Sequence, residues 1–193
     1  MIAFVQGKFE EKTPARVVVN VNGVGYELHI SLYTYEHIAN IDNGKLHTYQ
    51  HITENSQQLF GFAGLEEKAI FLLLISVSGV GASTARMMLS GLKPNEVSAA
   101  IMQANTKLLE SVKGIGKKTA ERIILELKDK ITKLPTQQQA AGALVKSMDQ
   151  DAVDALMALG IQRTMAEAAI KKVTDKNEFQ HIETIIKEAL KNL

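Results

Sequence analysis

Apolar and polar positions follow two different rhythms along the chain. In the N-terminal part, "ARVVVNVNGVGYELHI" alternates as β structure does and breaks at Asn22-Gly23, a pair suited to the positive φ angles of a tight hairpin turn. A second break at "IDNGK" precedes "LHTYQHIT" and "QQLFGF". With the opening "MIAFVQGKFEE", these runs predict about five short strands, enough for a small barrel or sandwich, with "LYTYEHIA" as a short helix between them.

From Leu65 the period becomes helical. "LEEKAIFLLLISV", "ASTARMMLSGL", "PNEVSAAIMQA", "TKLLESV" and "KKTAERIILELKDKI" predict five compact helices, separated by Gly, Pro or Asn-Thr breaks. "KLPTQQQAAGALVKSMDQ" then loses the periodic apolar pattern, as a linker does. Helical spacing returns in "DAVDALMALGIQRTMAEAAIKKV" and "FQHIETIIKEALKNL". There Leu156, Leu159, Ile170, Val173, Ile182, Ile185, Ile186 and Leu190 are expected to form the inner faces of a three-helix unit. The pattern therefore divides the chain into a barrel over 1–63, a helical domain over 64–134, a linker over 135–148 and a C-terminal helical domain over 149–193.

Composition narrows the chemistry. With 46% hydrophobic and 22% charged residues the chain supports a packed core, and with no cysteine it has no disulfide, thiol nucleophile or cysteine-held zinc. The five histidines show no metal-site spacing, and no cofactor is expected. No apolar run is long enough to cross a bilayer and no basic leader opens the chain, so it is read as cytoplasmic. The formal charge of +1 conceals an asymmetry, because 64–134 carries 11 basic and 7 acidic residues while both flanking blocks are net negative. A polyanion would bind the middle block.

That block contains a repeat. "LLLISVSGVGASTARMML" aligns with "KLLESVKGIGKKTAERIIL" at an offset of 35 residues, pairing Ser76 with Ser111, Val77 with Val112, Gly79 and Gly81 with Gly114 and Gly116, and Thr84-Ala85 with Thr119-Ala120. Each copy reads helix, glycine turn, helix, with Val80 or Ile115 placed to tuck inward between its glycines. The amides that open the second helix lack intrahelical partners, and the helix dipole there favours an anion. In the second copy Lys117, Lys118 and Arg122 add positive charge. Such a site grips phosphate and ignores bases, so binding should be sequence-independent and salt-sensitive. Competing glycine motifs fit less well: a Walker loop needs Gly and Ser/Thr where Ser111 and Lys118 stand, and a dinucleotide fingerprint needs Gly at Thr84 or Thr119.

These residues resemble the helix-hairpin-helix family of DNA-backbone binders. Nearly end to end, through "MIAFVQG", "NGVGYELHI", "LFGFAG", "SGVG", "KGIGKKTAER" and "ALMALG…EAAIKKV", the chain resembles the RuvA family of bacterial Holliday-junction proteins. The resemblance implies an α+β multidomain fold: an oligonucleotide-binding (OB-fold) β-barrel, a central all-α tandem helix-hairpin-helix domain and a C-terminal three-helix domain similar to ubiquitin-associated domains. It implies a non-enzymatic subunit that holds a four-way DNA junction open and recruits the RuvB ATPase motor, with the RuvC resolvase in the wider complex. It also implies homotetramers, or octamers where two stack, acting in recombination and repair. DNA contacts are implied at Gly79, Val80, Gly81, Ser83 and Thr84 in the first turn, and at Gly114, Ile115, Gly116, Lys117, Lys118, Thr119 and Arg122 in the second. An acidic pin is implied at Glu54-Asn55, with one carboxylate where relatives often have two, and Ala82-Ser83 replaces a lysine frequent in the first turn. An alternative reading as a base-excision glycosylase needs a catalytic carboxylate in a Gly/Pro-rich loop after the hairpin, where "TAERIILELKDKI" continues as helix.

Overall fold

A computed structural model of the chain describes residues 1–132, 148–174 and 181–191, which fall into two compact units on either side of Leu134 and Pro135. In the first unit, β1 (Phe4–Thr13), β2 (Arg16–Val21) and β3 (Val24–Ile30) form a meander. Asn22 (φ 50°) and Gly23 (φ 91°) make the positive-φ turn between β2 and β3 that the sequence predicts, and the Gly23 amide donates to Asn20 Oδ1 at 2.9 Å. Helix α1 (Leu32–Ile38) follows, capped by Ser31, whose hydroxyl accepts from the Thr34 amide at 3.0 Å. Strands β4 (Asn43–Thr53) and β5 (Ser56–Phe62) pair as a hairpin.

Closure is the part of the topology that no local pattern announces. β1 pairs antiparallel with β4, and β3 pairs parallel with β5, giving a closed five-strand barrel in the order β1-β2-β3-β5-β4. Alternate residues fill it: Val5, Phe9, Val17, Val19, Leu28, Ile30 and Leu46 are buried. Asn43-Gly44, read as part of a break, instead opens β4, and the glycine is needed for space, since a Cβ at Gly44 would lie 2.9 Å from Phe9 Cζ.

Five helices complete this unit: α2 (Leu65–Ile75), α3 (Ala82–Gly91), α4 (Pro94–Met102), α5 (Thr106–Glu110) and α6 (Lys117–Ile131). α4 is closed at its start by Pro94 and by Glu96, which accepts from the Lys93 amide at 2.8 Å. The helical core is continuous with one wall of the barrel. Phe60 and Phe62 of β5 pack on Phe71 of α2 at centroid distances of 5.2 and 4.9 Å, and Tyr49 of β4 does so at 5.6 Å. Each such ring pair adds about 0.5–1.5 kcal/mol beyond area burial. A polar lock lies beside the rings. Glu67, 1% exposed, accepts from the Ser31 hydroxyl, from Thr34 Oγ1 at 2.6 Å and from the Ala63 amide at 3.1 Å. Burial pushes its carboxyl above the usual value, opposed by those three hydrogen bonds and by His37.

The second unit contains α7 (Met148–Ala158), α8 (Arg163–Thr174) and α9 (Ile182–Lys191). Leu156, Ile170, Val173 and Ile185 are buried in its core, with Ile182 and Ile186 at the margin. Leu159 and Leu190, expected on inner faces, point outward at 65% and 44% exposure. Leu159 falls past the end of α7, in the turn that Gly160 completes at φ 90°, and so leaves the helical register. The stretch 135–148 expected as a linker lies outside the described residues, save Met148, which already belongs to α7.

Candidate nucleic-acid interface

The two glycine turns are nearly the same object built twice. Ser76 is the C-cap of α2 and Ser111 that of α5, and each serine hydroxyl donates back to a carbonyl three residues earlier, Leu73 or Leu108, at 2.7 Å. In each turn the aliphatic residue between the glycines bonds back into the loop: the Val80 amide donates to Val77 O and the Ile115 amide to Val112 O, both at 3.0 Å. Gly79 and Gly114 sit at φ +92° and +94°, where a side chain is strained. Gly81 and Gly116 are the N-caps of α3 and α6 in ordinary extended backbone, at φ −83° and −88°. From residue 76 and residue 111 onward, the order of exposed and buried positions is the same through the turn.

This geometry sorts the predicted residues. Val80 and Ile115, predicted as DNA contacts, are each only 5% exposed and spend their amides inside the turn, so they serve as pegs that hold the loop against the core. Gly79, Gly81, Ser83, Gly114, Gly116, Lys117 and Lys118 are exposed, with Thr84 and Thr119 half-buried at matching positions. Among the described residues, no partner takes the amides of Gly79, Gly81, Ala82, Ser83 and Thr84, nor those of Gly114, Gly116, Lys117 and Lys118. Thr119 differs, its amide donating to Gly116 O at 3.0 Å. Each turn thus aims a run of donors outward at the positive end of a helix dipole. One such interaction is worth about 0.3–1 kcal/mol at an exposed site, so affinity must come from many.

Charge is unequally shared. Lys113, Lys117 and Lys118 surround the second turn, and among the described residues none is within ion-pair distance of a carboxylate. At the first turn the corresponding residues are Ser78, Ala82 and Ser83, and Ala82 is buried where Lys117 is exposed. Arg122, predicted as a mobile charge on the second hairpin, is instead anchored across the gap, its Nη1 donating to Ser78 O at 3.0 Å. That link joins residues 44 apart, and no local signal announced it. Arg86 was also unforeseen: from α3 it donates to Ala15 O in the β1–β2 turn at 3.0 Å, tying the first hairpin to the barrel.

Glu54 and Asn55 occupy the two-residue tip of the β4–β5 hairpin, both exposed, bracketed by the Thr53–Ser56 pair, whose hydroxyls approach to 2.9 Å. The tip is remote in sequence from both glycine turns. Among the described residues no group of three His, Asp or Glu could hold a metal, and no helix is long and apolar enough to cross a membrane.

Comparison with known proteins agrees with this architecture piece by piece. The RuvA N-terminal domain family matches residues 1–61, the SAM-like tandem helix-hairpin-helix family matches 71–129, and the RuvA C-terminal domain family matches 147–193. Three relatives bear the name Holliday junction branch migration complex subunit RuvA. The protein of Flavobacterium psychrophilum is 46% identical over 193 residues and that of Christiangramia forsetii 43% over 193, both covering the whole of each chain. The protein of Cytophaga hutchinsonii is 42% identical over 198 residues, covering 99% of each. The barrel is accordingly an OB-fold and the central helices a tandem helix-hairpin-helix, and the chain belongs to the RuvA family.

Proposed function

We propose that the chain is a non-catalytic subunit that binds four-way junction DNA by its sugar-phosphate backbone and serves branch migration in recombination and repair in the cytoplasm. The observation that carries this reading is the duplication itself: two turns of matched geometry, each presenting unpartnered helix-start amides within the basic part of the chain. Two turns in a fixed relation suit two phosphates of one backbone better than they suit a small anion. Glu54, at the tip of a long hairpin, supplies a carboxylate that repels phosphate at the junction centre, and a homotetramer or stacked octamer would multiply it around a fourfold axis.

In this reading ATP hydrolysis belongs to a partner, the RuvB motor, with RuvC joining the wider complex; a sequence without a Walker loop supports it. The C-terminal unit, separate from the compact DNA-binding unit, is the motor contact. The glycosylase alternative is disfavoured because α6 runs unbroken to Ile131, leaving no loop after the hairpin for a catalytic carboxylate.

Titration of a fluorescent four-way junction against a linear duplex of equal length, at several salt concentrations, tests the reading. Tighter junction binding and a log–log salt slope of several units are expected, since each neutralised phosphate contributes about 0.9. Equal affinity for both DNAs would refute junction recognition, and a flat salt response would refute backbone binding. Removing 149–193 should leave junction affinity intact and abolish stimulation of the motor's branch migration; retained stimulation would reassign the motor contact.

A further inference from the structure

Under the repeat, Met87 and Arg122 are equivalent positions, each on the helix that follows its own glycine turn. Both side chains leave their own hairpin for the other. Arg122 donates to Ser78 O at 3.0 Å, just before Gly79. Met87 brings its Cε to 3.7 Å from where a Cβ would stand on Gly114, the residue equivalent to Gly79. The exchange is reciprocal in position and unequal in chemistry, one arm polar and charged, the other apolar.

The polar arm acts on one defined group. Ser78 O and the Gly79 N–H belong to a single planar trans peptide, in which the carbonyl and the N–H point opposite ways. A guanidinium that holds the carbonyl therefore also fixes the direction of the N–H, which has no partner among the described residues. Hydrogen bonding at the oxygen further polarises the peptide and makes that N–H a better donor. The same guanidinium brings positive charge to the turn that lacks lysines of its own, since Ala82-Ser83 stand where the second turn has Lys117-Lys118.

We infer that Arg122 is a positioning residue for the first hairpin: from the second hairpin it orients the Ser78–Gly79 peptide towards a phosphate and lends the lysine-poor turn its charge, while Met87 packs on the Gly114 turn opposite. The two turns then work as one preset pair. This rests on the backbone-binding reading above, and it differs from a direct Arg122–phosphate contact on the second hairpin in one measurable respect. Loss of Arg122 must damage the first turn selectively.

A double-mutant cycle on a synthetic four-way junction makes the comparison. Ser83→Asp, which sets a carboxylate at the first turn, should weaken wild-type binding about tenfold but the Arg122→Ala protein less than about threefold. Lys118→Ala, on the second turn, should cost the same in both backgrounds. In the DNA-free protein, hydrogen exchange followed by NMR should accelerate at Val80 in Arg122→Ala and stay unchanged at Ile115. Effects of Ser83→Asp and Arg122→Ala that simply multiply, or unchanged exchange at Val80, would overturn the inference and leave the DNA-binding reading standing. If neither Ser83→Asp nor Lys118→Ala weakens the wild-type protein, the DNA-binding reading itself fails.

Discussion

Removing the Glu67 side chain is the most direct test of how the barrel and the helical domain are joined. In Glu67→Ala the hydroxyl protons of Ser31 and Thr34 lose their acceptor in a buried site, whereas the Ala63 amide keeps Thr34 Oγ1 at 3.0 Å. Each orphaned buried donor costs about 1–3 kcal/mol, so the substitution should destabilise this unit by about 2–6 kcal/mol, against less than about 0.5 kcal/mol for an exposed substitution without such partners. The protein supplies its own reporter. All 4 tyrosines (Tyr26, Tyr33, Tyr35, Tyr49) lie in the barrel region and there is no tryptophan, so tyrosine fluorescence follows the barrel while far-ultraviolet circular dichroism is dominated by helices. In urea the tyrosine transition of Glu67→Ala should move to lower denaturant and separate from the helical one. The direction of the Glu67 shift adds a second reading. With its folded carboxyl raised by burial above the ordinary value of about 4.5, the folded state binds more protons between those two values, so this residue's contribution is present at low pH and is lost as pH rises through the raised one. The melting temperature of wild type relative to Glu67→Gln should therefore climb as pH is lowered through the raised value towards the ordinary one. A destabilisation below about 1 kcal/mol, or a wild-type–Gln difference that ignores pH, would refute the lock.

Three further outcomes are expected. Gly114→Ala places a side chain at φ +94°, which should cost about 1–2 kcal/mol in a denaturant melt and weaken junction binding by distorting the second turn; a neutral melt and unchanged affinity would contradict the geometry. Lys117→Ala with Lys118→Ala should lower the salt slope of junction binding by about 2, while an unchanged slope would show that these lysines do not meet phosphate. Leu156→Ala, at a fully buried position, should destabilise the C-terminal unit by about 2–5 kcal/mol and leave the tyrosine transition in place; loss of the barrel signal would show that the two units unfold together.

Features encoded by neighbouring residues were the ones legible in the sequence. Asn22-Gly23 predicted its turn because few other pairs tolerate two successive positive φ values, and the paired Gly-x-Gly segments predicted two hairpins because both glycines and the serine three residues before the first of them recur at one offset. Contacts between distant segments were not legible. Glu66 and Glu67 look alike in "GLEEKAI", and only the arrival of Ser31 and Thr34 from α1 distinguishes the buried acid from its neighbour. Arg122 reads as one more cation on a basic helix until Ser78 comes within 3.0 Å. Gly44 reads as a turn residue because sequence cannot show the Phe9 ring above it. Leu159 kept the helical rhythm in the letters although the helix had already ended at Ala158.

The β4–β5 hairpin tip has a freedom that the rest of the barrel lacks. Its two stems are stitched to other strands, β4 to β1 and β5 to β3, so the pairs that shut the cylinder lie away from positions 54 and 55. Charge at the exposed tip is therefore set apart from the pairing that closes the scaffold, so under the proposed function a change of carboxylate number at 54 and 55 would alter repulsion of phosphate with little effect on the barrel.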